Sequence, residues 1–261
     1  MCLLVVAFGV VPGTPLLIGA NRDEFLSRPA VAITVLRPDA PRVLGGRDEQ
    51  SGGTWLAVNE HGRFAGLTNQ PRRDGRDPTR RTRGELPLAL TSTSHVDTRG
   101  AVDHFVGRHR PGNYNGSWLL TGDRDALYYI DFTGDGDAKA EALPPGLYVL
   151  ENRPLGAPSP KADRVTDALA EALSDPETTI AALQRALVDH RGTEPGPAAD
   201  DPRSSASCVH LEDYGTRSSC ILRYDADPAT NPYIRVADGP PCTAPFVDVS
   251  ELWKADRLPP R

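Results

Sequence analysis

The sequence predicts an α+β fold in which antiparallel sheets are covered by helices, and three observations predict it. Apolar runs of strand length come in pairs separated by short turns, which indicates β-hairpins. Two later stretches carry apolar residues at helical spacing, with an Asp-Pro start between them. Strands then return towards the C-terminus, and this segregated order is typical of an α+β domain.

The composition narrows the class of protein. We find no composition shift that marks a boundary in the 261 residues, so we expect a single domain over residues 1–261. A net charge of -6 argues against a general binder of nucleic acid or anionic membranes. No apolar run approaches the roughly 20 residues of a membrane helix, and a basic signal-peptide start is lacking. The sparse cysteines are typical of reduced thiols, so we expect a cytoplasmic protein.

The first hairpin pairs Leu3–Phe8 with Leu16–Ala20 around a Pro-Gly-Thr-Pro turn. Its second strand runs into Asn21-Arg22-Asp23-Glu24-Phe25. These polar residues are either an exposed turn or a cluster delivered to a site. Because the hairpin carries them back towards the start of the first strand, we expect them near Cys2.

The next stretch, with Gly45-Gly46-Arg47-Asp48 and Gly52-Gly53, is expected to be a loop. A second hairpin then pairs Trp55–Val58 with Arg63–Leu67, and its return strand ends at Asn69. An asparagine amide can donate to a developing oxyanion, although asparagine is also common in ordinary turns.

Residues Arg72–Arg83 are rich in arginine, and we expect a solvated mobile loop there. The alternative is a lid that attracts an anionic ligand. Helices are predicted next, at Glu85–Thr91 and Thr98–Arg108. A hairpin of Ser117–Thr121 with Ala126–Phe132 follows, and then a strand at Gly146–Leu150 that leads to Asn152.

Two further helices are predicted at Ala162–Leu173 and Glu177–His190, with Asp175 as the N-cap of the second. Residues 192–207 are rich in Pro, Ala, Asp and Ser, which indicates a mobile loop. The last predicted strands are Cys220–Tyr224 and Tyr233–Val236. Cys208-Val209-His210 resembles half of a metal site, but no second half follows at a suitable spacing, so we expect no metal.

Cys2 stands at the head of the first apolar run. If Met1 is removed, Cys2 carries a thiol and a free α-amino group, which supply a nucleophile and a base of modest pKa in one residue. The alternative is a small buried residue of a core strand.

Several motifs together resemble the NRDE family, which includes the transport and Golgi organisation protein 2 group. The motifs are Met1-Cys2, Ala20-Asn21-Arg22-Asp23-Glu24-Phe25, Arg28-Pro29, Gly45-Gly46-Arg47-Asp48, Gly53-Thr54-Trp55-Leu56, Leu67-Thr68-Asn69, Arg83-Gly84-Glu85 and Tyr214-Gly215-Thr216-Arg217. A more distant resemblance is to cysteine N-terminal nucleophile hydrolases such as bile salt hydrolases and penicillin V acylases. It implies a four-layer αββα sandwich, with two antiparallel sheets between helix layers.

The resemblance also implies site residues, carried over by position. Cys2 matches the nucleophile, Asp23 the aspartate after the second strand, and Asn69 the oxyanion-hole asparagine. Asn152 matches a second site asparagine, and Arg217 is a looser match for a late arginine. The acylases carry an arginine where this chain has Ala20; Arg22 lies two residues later, on the same strand face, and could substitute.

The expected activity is cleavage or transfer of an acyl group at a small-molecule amide or thioester, without a cofactor, metal or nucleic acid. The alternative is a non-enzymatic protein on the same scaffold that binds and traffics haem, lipid or acyl-CoA. In that case Cys2, His61 or His210 could contact haem iron.

Overall fold

Two antiparallel sheets packed face to face, each covered by a pair of helices, form the molecule. The computed structural model describes residues 3–71, 75–95, 97–192 and 205–254. Within these residues, none of the helices combines the length and the apolar character needed to cross a membrane.

Sheet I has the strand order β10-β1-β2-β11-β12-β13. Its strands are β1 (Leu3–Val11), β2 (Thr14–Phe25), β10 (Gly146–Glu151), β11 (Tyr214–Arg223), β12 (Tyr233–Ala237) and β13 (Val247–Asp248). Every pairing in it is antiparallel, so the central strands β1 and β2 are hydrogen-bonded on both sides.

Sheet II follows the chain in the order β3 to β9, and each strand pairs with the next. Its strands are β3 (Ala30–Arg37), β4 (Val43–Asp48), β5 (Leu56–Asn59), β6 (Phe64–Asn69), β7 (Ser117–Gly122), β8 (Leu127–Phe132) and β9 (Lys139–Leu143). The predicted second and third hairpins are therefore confirmed as β5-β6 and β7-β8.

Four α-helices form the outer layers: α1 (Glu85–Thr91), α2 (Thr98–Arg108), α3 (Pro160–Ala170) and α4 (Pro176–Leu187). All four lie at or close to the positions predicted for helices. The predicted cap is confirmed as well, because the Asp175 carboxylate accepts the backbone N–H groups of Glu177 and Thr178. Helices α1 and α2 pack on sheet II, and α3 and α4 on sheet I.

The alternation of side chains along β1 shows why four layers result. Leu3 and Val5 belong to the apolar cluster under α3 and α4, whereas Leu4 and Val6 belong to the cluster between the sheets. A central strand that is apolar on both faces must be covered on both faces. The expected αββα sandwich is confirmed.

In the N-terminal part, the structure decides between two alternatives left open for the polar residues, and it contradicts one predicted loop. The polar residues after Ala20 are not an exposed turn, because β2 continues to Phe25 and pairs with β11, in which Thr216 lies opposite Asp23. Residues 30–48 are not a loop either, but form β3 and β4. A Cβ on Gly46 would lie 2.0 Å from the Trp55 ring, so these glycines serve close packing inside a strand.

Three smaller differences occur later in the chain. Strand β9 has mostly exposed residues, so its sequence lacks the apolar alternation of a covered strand. Strand β11 starts at Tyr214 rather than Cys220, since its polar first half pairs with the polar end of β2. The predicted mobile loop at 192–207 lies mostly outside the described residues, and Ser207, which is described, is buried.

Candidate functional site

The predicted site residues meet at the end of the sandwich where β1 begins. Leu3, the first described residue of β1, pairs with Asn21 of β2 on one side and with Glu151 of β10 on the other. The residues that follow these partners, Arg22 and Asn152, are both predicted site residues. Cys2 itself lies outside the described residues.

Asn69 and Asn152 come from different sheets and contact each other directly. Asn69 is the last residue of β6, and Asn152 follows the last residue of β10. The Asn69 backbone N–H donates to the Asn152 side-chain oxygen at 3.1 Å. Because a backbone N–H can only donate, this bond identifies Oδ1 as the acceptor and fixes the orientation of the Asn152 amide.

Asp23 is a buried carboxylate held by a neighbouring strand. Only 3% of its surface is exposed. The Thr216 hydroxyl, directly opposite in β11, donates to Asp23 Oδ1 at 2.6 Å. Such a short bond to a charged acceptor holds the carboxylate in one orientation at the end of the sheet.

Arg22 lies on the face of β2 that looks towards sheet II, as its spacing from Ala20 predicted. Its guanidinium carbon is 4.4 Å from the centre of the Trp55 ring, and Nη2 is 3.8 Å from Glu24. The side chain is 3% exposed, and Nη1 has no hydrogen-bond partner among the described residues. Burial lowers the pKa of Arg22, and the negative charges of Glu24 and Asp48 partly oppose this shift.

Arg22, Asp23 and Asn69 border a cavity of about 340 Å³ that opens to solvent. Its lining residues are Arg22, Asp23, Glu24, Phe25, Arg28, Asp48, Thr54, Trp55, Leu67, Asn69, Arg76, Arg81, Thr82, Arg83, Gly84, Asn115 and Tyr214. Arginines outnumber carboxylates in this lining. The Arg28 guanidinium binds the Asp48 carboxylate at 2.6 Å, so part of the positive charge is neutralised locally.

The predicted arginine-rich loop contributes to this cavity. Arg72, Arg73 and Asp74 lie outside the described residues, but the rest packs against the segment before β7. The Asp77 N–H donates to the Asn115 side chain at 2.9 Å. Residues 75–83 are exposed or half-buried, as expected of a solvated loop, and they are also anchored to the segment before β7. Burial, with the nearby charge of Arg76, lowers the pKa of Arg83 to about 10.

Arg217 is not brought to the cavity. It lies at the point where the register of β11 against β2 shifts, between Thr216 and Ser218. Its guanidinium donates to the Leu26 carbonyl, and it is absent from the described residues that line the cavity. The role expected for Arg217 stays a prediction, and its positive charge contributes to the lowered pKa of Arg22.

Several residues that line the cavity were not predicted, because they lie in or beside strands that the sequence did not indicate. Arg28 and Asp48 flank β3 and β4, and Tyr214 begins the unpredicted half of β11. Tyr214 packs edge-on against Phe25 with ring centres 5.4 Å apart. All of these lie within the family motifs, so the motifs were the signal that could have found them.

The histidines of the haem alternative lie elsewhere. His61 is in the turn before β6, at the opposite end of that strand from Asn69. His210 lies in the segment that precedes β11. Neither is among the described residues that line the cavity.

Comparison of the sequence with known families and proteins gives a consistent match. The family model described as Transport and Golgi organisation 2 matches residues 1–233. The Transport and Golgi organization protein 2 homolog of Bos taurus is 31% identical over 254 residues, covering 87% of this chain and 90% of the relative. The homolog of Homo sapiens is 30% identical over 257 residues with the same coverage.

The fold aligns with solved structures over most of both chains, although the sequence identity is low. The Caenorhabditis elegans ortholog of N-acylethanolamine-hydrolyzing acid amidase aligns with a TM-score of 0.58 and 12% identity, covering 88% of this chain and 94% of that one. A variant of the conjugated bile acid hydrolase of Clostridium perfringens aligns with a TM-score of 0.56 and 12% identity, covering 99% and 96%. These matches show a shared fold.

Proposed function

The chain belongs to the Transport and Golgi organisation 2 family, and we propose that it is an N-terminal-cysteine hydrolase-like enzyme that cleaves or transfers an acyl group at an amide or thioester. The observation that carries the proposal is that Asp23 and Asn69 line one cavity at the end of the sandwich where β1 begins, with Asn152 hydrogen-bonded to Asn69. A buried carboxylate beside amide donors is the environment that a thiol nucleophile with an amine base requires.

Chain connectivity supports Cys2 as the nucleophile. Cys2 is bonded to Leu3, and consecutive Cα atoms are about 3.8 Å apart. Leu3 pairs with Asn21 and Glu151, which directly precede Arg22 and Asn152. The proposal requires that everything before Cys2 be removed, since only then is its α-amine free to act as a base.

In the proposed reaction, the α-amine of Cys2 accepts the thiol proton and the thiolate attacks the acyl carbonyl carbon. The amide of Asn152, and that of Asn69, would donate to the oxyanion; one such donor is typically worth about 3 kcal/mol of barrier. Asp23 would orient the protonated amine. The intermediate then expels the amine or thiol of the substrate, which takes the proton from the ammonium group.

The acyl group is then bound to Cys2 as a thioester, and the second half of the reaction releases it. A water molecule or another acceptor attacks the thioester carbonyl while the α-amine accepts its proton. The Cys2 sulfur leaves and is reprotonated by the same amine. The products are a carboxylic acid, or a transferred acyl group, and the original enzyme.

The lining of the cavity supports a substrate that carries an anionic group beside its acyl bond. Arg22 is buried with one nitrogen unpartnered among the described residues, and Arg76, Arg81 and Arg83 approach from the other wall. A buried cation is costly without a partner, and a carboxylate or phosphate would supply one. This supports the lid alternative for the arginine-rich loop over a merely solvated one.

The test combines an intact mass with a comparison of variants. We expect the purified protein to lack everything before Cys2, and Cys2→Ala to lose turnover of acyl amides and thioesters. Cys220→Ala is the matched control, since its thiol lies in β11 and is not among the described residues that line the cavity. Substrates should be offered in pairs with and without a carboxylate, and we expect lower KM for the anionic member.

A retained Met1, or equal turnover by the wild-type and Cys2→Ala proteins, would defeat the proposal. Binding of haem, lipid or acyl-CoA without turnover stays the alternative prediction. A haem titration followed at the Soret band tests its haem form, and the absence of a spectral change would remove that form. The expected cytoplasmic location also stays a prediction.

A further inference from the structure

A second group of reactive side chains lies outside the cavity, beside the start of β11. We call His190, Cys208, His210 and Cys242 the Cys/His cluster. One ligand atom from each of the four lies within 4.8 Å of every other. They come from three distant stretches: His190 follows the end of α4, Cys208 and His210 precede β11, and Cys242 lies between β12 and β13.

Three distances within the Cys/His cluster are close to those of a tetrahedral site. The sulfurs of Cys208 and Cys242 are 3.8 Å apart, and His210 Nε2 is 3.6 Å from the first and 3.2 Å from the second. Zinc at about 2.3 Å from sulfur and about 2.0 Å from nitrogen, with tetrahedral angles, requires about 3.8 Å between sulfurs and about 3.6 Å between sulfur and nitrogen.

The hydrogen bonding of His190 prepares one nitrogen for a metal. His190 Nδ1 lies 3.1 Å from the Cys208 carbonyl oxygen. A carbonyl can only accept, so Nδ1 carries the proton and Nε2 keeps its lone pair. A histidine ligand usually has this arrangement, with the second ring nitrogen held by a carbonyl or carboxylate.

We propose that the Cys/His cluster binds one zinc ion as a structural site with two cysteine thiolates and two histidine nitrogens. Two thiols and two imidazoles in a tetrahedral arrangement select zinc among the common divalent ions. Four protein ligands leave no open position, which is typical of a structural rather than a catalytic centre. On binding, the two thiols release their protons to solvent.

The ion would fix the segment that supports the candidate active site. Val209, between two of the ligands, donates to the Thr216 hydroxyl at 2.9 Å, and Thr216 donates to Asp23 at 2.6 Å. Asn21 also donates to the carbonyls of Leu187 and Ser207 at 2.8 Å. The proposed zinc site would therefore connect the end of α4 and the turn after β12 to the start of β11, the strand that pairs with Asp23.

Sequence spacing could not reveal this site. The pair Cys208 and His210 is close in sequence, but its second half is formed by His190 and Cys242, which lie on either side of it in the chain. The fold thus brings together a second pair of possible ligands that the spacing does not show, and the expectation of no metal stays a prediction.

The test is the metal content of the full chain purified without chelators, measured by mass spectrometry after loading with zinc and removal of free ion. We expect about one zinc per chain in the wild type and in Cys220→Ser, the matched control for a thiol outside the cluster. Cys242→Ser should lose the ion while keeping its circular dichroism, because Cys242 is exposed. His61→Ala and His210→Ala form a second matched pair.

Cobalt supplies a readout of geometry. Cobalt-loaded wild type should show intense visible bands of tetrahedral Co²⁺ and a thiolate charge-transfer band, both lost in Cys242→Ser. Equal zinc in wild type and Cys242→Ser, or none in the loaded wild type, would overturn the proposal. So would a Cys208–Cys242 disulfide found by intact mass in place of the metal. None of these measurements depends on turnover.

Discussion

At the residue scale, the side-chain oxygen and the side-chain nitrogen of Asn152 have different proposed roles, which can be tested separately. Its oxygen accepts the Asn69 N–H, and its nitrogen is the proposed donor to the oxyanion. Asn152→Asp keeps the acceptor and removes the donor, so we expect kcat to fall about 10²- to 10³-fold with little change in stability. The measurement is steady-state kinetics beside urea unfolding.

Asn152→Ala is the comparison, because it removes both the oxygen and the nitrogen. We expect it to lose similar activity and also to lower the urea midpoint, since the Asn69 N–H would lose its partner. An Asn152→Asp protein with unchanged kcat would show that the asparagine holds the two sheets together without taking part in the reaction.

Arg22 differs in its position along the strand from the arginine of the resembled acylases. In the resembled acylases an arginine stands where this chain has Ala20, and here Arg22 occupies the next position on the same face of β2. The fold places it against Trp55 and close to the cavity. A shift of two residues along a strand moves a side chain by about 7 Å without changing its face, so the positive charge is kept but reaches a different part of the cavity.

At the scale of elements, the start of α3 depends on its N-cap. The Ser159 hydroxyl accepts the Ala162 N–H at 3.2 Å, and Pro160 occupies the first helical position. We expect Ser159→Ala to destabilise the protein by about 1 kcal/mol, because a helix N–H loses its acceptor. Urea unfolding measures this change.

Ser159→Gly is the matched control, since glycine at an N-cap costs only a few tenths of a kcal/mol. The cap also matters for the site, because Lys161 in the first turn of α3 lies 3.8 Å from Glu151, the residue before Asn152. Equal stability of wild type and Ser159→Ala would contradict the assigned cap.

At the scale of the whole molecule, the two sheets are held together by an apolar layer that ends at the cavity. Trp55, the residue before β5 of sheet II, belongs to this layer and also supports Arg22 of sheet I. A Cβ on Gly46 would meet the Trp55 ring at 2.0 Å. We expect Gly46→Ala to destabilise the protein by about 1–3 kcal/mol through overpacking, as measured by urea unfolding.

Gly107→Ala provides the control for Gly46→Ala. Gly107 lies in α2, and a Cβ there meets no heavy atom within 4 Å. Alanine in a helix should stabilise the protein by about 1 kcal/mol. If Gly46→Ala were as stable as the wild type, the close packing of Trp55 on β4 would be disproved.

The sequence by itself determined the layers and most of the elements. Apolar spacing located α2, α3 and α4, because each must bury one face, and the double-sided apolar pattern of β1 required cover on both sides. The motifs also identified Asp23, Asn69 and Asn152, which lie together in the structure.

Only the tertiary structure decided which of these residues meet and what surrounds them. Apolar alternation is lacking in the polar half of β2, in the glycine-rich β4 and in the exposed β9. These segments are strands because neighbouring strands satisfy the hydrogen bonds of their backbone groups. The register shift of β11 at Arg217 and the meeting of His190 with Cys242 arise from pairings between distant residues. Local spacing contains no record of such contacts, since they depend on how the whole chain packs.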